Sequence, residues 1–109
     1  MSAYIPEAGD IVWLEFSPHA GHEQAGHRPA LVISPAVYNG RRGMMVCCPL
    51  TSQIKGYPFE VAIDSKSVVL SDQVKSLDWK ARNASFKGKA KPAVLSKVRG
   101  NIKALLGLK

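Results

Sequence analysis

The chain is poor in several things, and each absence narrows what it can be. Its 109 residues include two cysteines, and these are adjacent, Cys47 and Cys48. A bond between neighbouring strand residues would be strained, because their side chains point to opposite faces. The pair is read as reduced strand residues with at most one in the core. No apolar run approaches the roughly 20 residues that span a bilayer. The segment Met1-Ser2-Ala3-Tyr4-Ile5-Pro6 lacks the basic and apolar regions of a signal peptide, so the cytoplasm is the expected compartment. Internal repeats, low-complexity tracts and a domain linker are also lacking, and the length suits one domain over residues 1–109.

Acidic residues are scarce in the later part of the chain. From Lys75 onward ten lysines and arginines accompany a single acid, Asp78, whereas the earlier residues hold five basic and seven acidic side chains. The formal net charge is +7. Such a distribution implies a polyanionic partner, either nucleic acid or an acidic protein segment, or else a solvated basic helix face.

What is present is a set of short strand-like runs. Ile11–Phe16 alternates, with Val12, Leu14 and Phe16 on one face and Ile11, Trp13 and Glu15 on the other. Ala30–Ser34 and Met44–Leu50 read as further strands, followed by Phe59–Ile63 and Ser67–Leu70. Ala36–Gly40 can form one helical turn after Pro35. Gln73–Leu77 continues in extended form, and a short strand is expected within Lys80–Lys87. Pro92 suits the first turn of a helix. Val94, Leu95, Val98, Ile102, Leu105 and Leu106 then recur at helical spacing. The pattern predicts a mainly β protein with a C-terminal helix, arranged as a small antiparallel β-barrel-like domain.

One connection concentrates chemistry: Gly21-His22-Glu23-Gln24-Ala25-Gly26-His27-Arg28-Pro29, read as a loop between the first two strands. Arg grips phosphate oxygens bidentately and stays charged. Glu and His can move protons near neutral pH. His19, His22 and His27 with Glu23 lack the spacing of a zinc site, and no metal or other cofactor is expected. Pro49-Leu50-Thr51-Ser52-Gln53 offers hydroxyl and amide donors to a phosphate or a base edge, or serves only a local turn. Trp13, Tyr57 and Trp79 could stack bases if exposed, whereas Phe59 is placed in the core.

These segments together resemble the MazF/PemK/Kid family of toxins. The resemblance is carried by Gly9–Trp13, Glu23–Ala30, Ser34-Pro35, Tyr38-Asn39, Pro49–Gln53, Lys55–Val61 and Leu70–Ser76, in order over essentially the whole chain. It implies an SH3-like antiparallel barrel of the CcdB/PemK/MazF type, forming a homodimer. It implies a sequence-specific, ribosome-independent endoribonuclease that cuts single-stranded RNA without metal. The products would carry 2′,3′-cyclic phosphate and 5′-hydroxyl ends. The partner would be a cognate MazE-like antitoxin whose acidic C-terminal segment covers the site.

The resemblance assigns Glu23 as base, Arg28 as phosphate ligand and Thr51 as donor to a phosphate oxygen. A guanidinium pKa above ~12 makes Arg28 a poor proton donor, so its contribution is electrostatic. His27 is a possible proton donor. Ser52, Gln53, Lys55, Asp72 and Gln73 are candidate substrate contacts. Kid-like members carry an Arg two residues before that Asp, where this chain has Leu70. Two other classes compete. One is a non-catalytic toxin of the same fold that inhibits a protein such as DNA gyrase, and the other is a plain nucleic-acid-binding module.

Overall fold

The computed structural model describes residues 4–16 and 26–108. The elements run β1 (Asp10–Phe16), β2 (Gly26–Val32), α1 (Ala36–Arg42), β3 (Met44–Thr51), β4 (Glu60–Ala62) and β5 (Val68–Leu70). A 3-10 turn (Ser71–Gln73), β6 (Lys75–Asp78), β7 (Ser85–Lys89) and α2 (Pro92–Leu105) follow. The pairings are antiparallel, in the order β4-β5-β3-β2-β1-β7, with β6 also paired to β3. This is the expected mainly β architecture with a C-terminal helix, although among the described residues the sheet does not close on itself. No helix among them is long and apolar enough to cross a membrane.

The pleat of β1 sorts the core in two. Val12 and Leu14 join Ala30, Val32, Met45, Cys47 and Trp79 on one face. Ile11 joins Leu31, Cys48, Val61, Val69 and Val98 on the other, where α2 packs through Val94, Leu95, Val98 and Ile102. Because β3 is covered on both faces, Cys47 and Cys48 are both buried and free. The expectation of at most one core cysteine is corrected accordingly. Burial pushes the Cys47 thiol up to about 11 and that of Cys48 to about 12.

Two boundaries also differ from expectation. The second strand starts at Gly26, four residues earlier than its composition suggested, because β1 pairs with it as far as Phe16↔Gly26. Residues 79–83 form turns rather than a strand, and β7 begins only at Ser85. The Trp79 indole donates to the Asn39 carbonyl at 3.0 Å, and the Asp78 carboxylate accepts the Ala81 N–H at 2.9 Å. Those contacts bend the chain there. At the end of α2, Leu105 and Leu106 are exposed, so the last turn's leucines do not pack on the sheet.

Asp10 ties three segments together at the start of β1. Its carboxylate accepts from the Tyr4 hydroxyl at 2.5 Å, the Glu7 N–H at 3.0 Å and the Lys89 ammonium of β7 at 2.7 Å. Burial opposes its ionisation. The Lys89, Tyr4 and Glu7 donors outweigh that cost and hold its pKa below the ordinary carboxylate value.

Two outcomes follow from these contacts. A depressed carboxylate stabilises the fold above its ordinary pKa, and that stability is lost as pH falls through the folded value. Asp10→Asn should therefore lose roughly 1–3 kcal/mol at neutral pH, with a flatter acid limb in thermal unfolding measured from pH 6 down to 2. An acid limb as steep as that of the wild type would remove Asp10 as its source. Iodoacetamide at pH 8 should leave both cysteines unalkylated in the native protein and modify both after denaturation, as read by mass spectrometry.

Candidate active site

Arg28 stands in β2 rather than in a loop, and the strand fixes where it points. It pairs with Leu14, whereas His27 pairs with Glu15. Side chains alternate across a strand, so the two neighbours project from opposite faces. His27 Nε2 lies 3.4 Å from Glu15 Oε2, and its ring sits 6.3 Å from that of Trp13 at a 34° tilt. The Glu15 carboxyl is held below its ordinary pKa, chiefly by the Asn83 amide and then by His27.

Thr51 belongs with Arg28. Ala30 pairs with Pro49. Two residues further in the same spatial direction lie Arg28 on β2 and Thr51 on β3. The two therefore occupy the same face of adjacent strands. Across the next strands, Thr51 pairs with Val68 and Leu70 with Glu60, so this face runs through Arg28, Thr51, Leu70 and Glu60. Thr51 Oγ1 accepts the Gln53 N–H at 3.1 Å. That contact orients the oxygen and leaves its hydroxyl hydrogen for an outside acceptor.

Beside Thr51 opens a cleft of about 160 Å³. Its walls are Thr51, Gln53, Lys55, Tyr57, Glu60, Leu70, Asp72 and Gln73. Of the residues expected from sequence, Thr51, Gln53, Lys55, Asp72 and Gln73 are thus brought together. Arg28 shares the face but is not part of the cleft wall, and Ser52 is exposed outside it. Glu23, with His19 and His22, lies outside the described residues. Among the aromatic candidates, Tyr57 is exposed on the cleft, Trp79 is buried in the core and Trp13 and Phe59 are half-buried.

Glu60 and Leu70 were not foreseen as site residues. The available signal for Glu60 was an acid placed just after a Gly-Tyr-Pro turn. Among the described residues no group of three or more His, Cys, Asp or Glu is arranged to hold a metal. The site offers instead a guanidinium, a hydroxyl and an ammonium beside a polar cleft. Such a set suits a phosphate with an attached base.

A family model described as PemK-like, MazF-like toxin of type II toxin–antitoxin systems matches residues 7–106. The chain belongs to that family. As a MazF-like toxin it is 48% identical to the endoribonuclease toxin MazF of Escherichia coli K12, over 98% of this chain and 99% of the relative. It is 32% identical to the E. coli endoribonuclease PemK, over 92% of this chain and 81% of the relative. Among solved structures, a MazE–MazF crystal structure from Deinococcus radiodurans matches with a TM-score of 0.93 and 52% identity. That match covers 98% of this MazF-like chain and 100% of the other.

Proposed function

We propose that this endoribonuclease toxin cuts single-stranded RNA at a specific sequence, without metal and without the ribosome. The observation that carries the reading is the placement of Arg28 and Thr51 on one sheet face beside a base-sized polar cleft. In this reading the substrate's 2′-oxygen attacks the adjacent phosphorus, and the P–O5′ bond breaks. A 2′,3′-cyclic phosphate and a 5′-hydroxyl remain. Glu23 takes the 2′ proton. Arg28 and the Thr51 hydroxyl stabilise the charge that builds on the non-bridging oxygens. Gln53, Lys55, Asp72 and Gln73 hold the neighbouring nucleotide in the cleft, with Ser52 at its rim.

His27 faces Glu15 and Trp13 on the opposite side of β2, which argues against it as the proton donor. The exposed site lets solvent protonate the leaving 5′-oxygen. Residues 1–109 act as one toxin domain in the cytoplasm, as a homodimer. The partner is a MazE-like antitoxin whose acidic segment complements the +7 charge and covers the Arg28 face. The likeness to MazE–MazF structures supports that pairing.

The test is end-mapping of a long RNA after brief exposure to the pure protein with chelator present. Discrete cuts with cyclic-phosphate ends are expected. Arg28→Ala and Thr51→Val, each shown to be folded, should each lose about 10²-fold or more in kcat/KM. His27→Ala should stay within roughly threefold of wild type. Full activity in Arg28→Ala would sink the site. Loss of cutting in chelator would overturn the metal-free reading. Absence of any cut product would favour a toxin that acts on a protein target.

A further inference from the structure

Glu60 opens β4 at the edge of the cleft, and its carboxylate is committed to backbone. Oε1 accepts the Gly56 N–H at 2.8 Å and the Lys55 N–H at 3.3 Å. Oε2 takes the same Lys55 N–H at 3.0 Å. In return, the Glu60 N–H donates to the Tyr57 carbonyl at 3.0 Å. Residues 55–60 thus close into a ring around an internal anion, with Gly56 at φ +83°. Successive backbone N–H groups aimed at one anion form a nest, the arrangement that elsewhere binds external anions.

Packing does little to hold this ring, because Ile54 is 51% and Tyr57 57% exposed. Its base is fixed: the Phe59 carbonyl accepts both the N–H and the hydroxyl of Ser71. Its tip, which carries Lys55 and Tyr57 into the cleft wall, is held by the Glu60 carboxylate. A carboxylate can accept on both oxygens, whereas a Gln amide would turn an N–H toward one of the backbone donors.

We propose that Glu60 is a positioning residue for substrate binding. Its carboxylate clamps the Lys55–Gly56 backbone so that Lys55 and Tyr57 meet the nucleotide next to the scissile phosphate. The inference rests on the RNA-cleaving reading of the site. It assigns Glu60 a part in affinity and in base discrimination, and none in the chemical step.

The experiment compares Glu60→Gln and Glu60→Asp with wild type on a short RNA and on versions with the base beside the cut replaced. Glu60→Gln should raise KM about tenfold, change kcat much less and narrow the preference among bases. Glu60→Asp keeps the charge and should recover part of the KM, which also covers a Glu60→Gln protein that fails to fold. Lys55→Ala should cost less in the Glu60→Gln background than in wild type, since the two act through one loop. Amide exchange at Lys55 and Gly56 should speed up in Glu60→Gln. Unchanged exchange would overturn the clamp. An unchanged KM and base preference despite faster exchange would overturn the link to substrate, and so would a fall in kcat alone. If wild type cut no RNA, the functional reading would fail while amide exchange still reported on the clamp.

Discussion

The buried side chain of Asn39 is the constraint on which the arrangement of the sheet depends. It is fully enclosed, and its amide nitrogen donates to the carbonyls of Pro6 at 2.8 Å and Ser34 at 2.9 Å. Its oxygen accepts the Ser34 hydroxyl at 2.6 Å, and the Ser34 oxygen in turn accepts the Val46 N–H at 2.8 Å. The Asn39 backbone carbonyl takes the Trp79 indole. The N-terminal segment, the exit of β2, α1, β3 and the turn after β6 therefore meet at one residue. Among the described residues no buried side-chain nitrogen or oxygen lacks a partner. A fully satisfied network of this kind specifies one arrangement, because any shift strands a donor in a dry interior. Asn39 sits in the connection between β2 and β3, so it holds their register. A slip of one residue would carry Arg28 to the face that His27 now occupies beside Glu15 and bring His27 to the face of Thr51.

That register explains how a solvent-facing sheet can present the proposed catalytic groups without a deep pocket. Arg28 and Thr51 are held by backbone pairing rather than by side-chain packing, and both remain open to solvent or partly so. The strands supply rigidity, and the hydrophobic clusters behind them supply the stability that the strands need. The cleft beside Thr51 is assembled from the segments joining β3 to β4 and β5 to β6. Its geometry is therefore more changeable than that of Arg28, so under the proposed function base selectivity can drift there while Arg28 stays fixed.

Much of this arrangement is legible from residue order. The alternation of Ile11–Leu14 sorts into the two core faces, and Pro92 marks the start of α2. Gln53, Lys55, Asp72 and Gln73 converge on Thr51. The rest depends on long-range contacts that local patterns do not encode. Gly26-His27-Arg28 has loop composition, yet β1 pairing makes it strand. The Trp79–Asn83 turn is bent partly by the indole's reach to Asn39, forty residues away. Cys47 and Cys48 are both interior because β3 has partners on both faces, a fact of topology. The Glu60 ring uses backbone donors, which every residue but proline carries, so its sequence trace is faint.

The contact between α2 and the cleft wall has a bearing on when the protein becomes dangerous to its maker. Asn101 donates to the Ser71 hydroxyl at 3.1 Å, and Ser71 opens the 3-10 turn that carries Asp72 and Gln73. The wall is thus braced by an element encoded some thirty residues later. A ribosome delivers the chain from its N-terminus. Arg28 and Thr51 emerge well before the helix that steadies the cleft. Under the proposed function, the nascent polypeptide would carry Arg28 and Thr51 unarmed until α2 has cleared the exit tunnel.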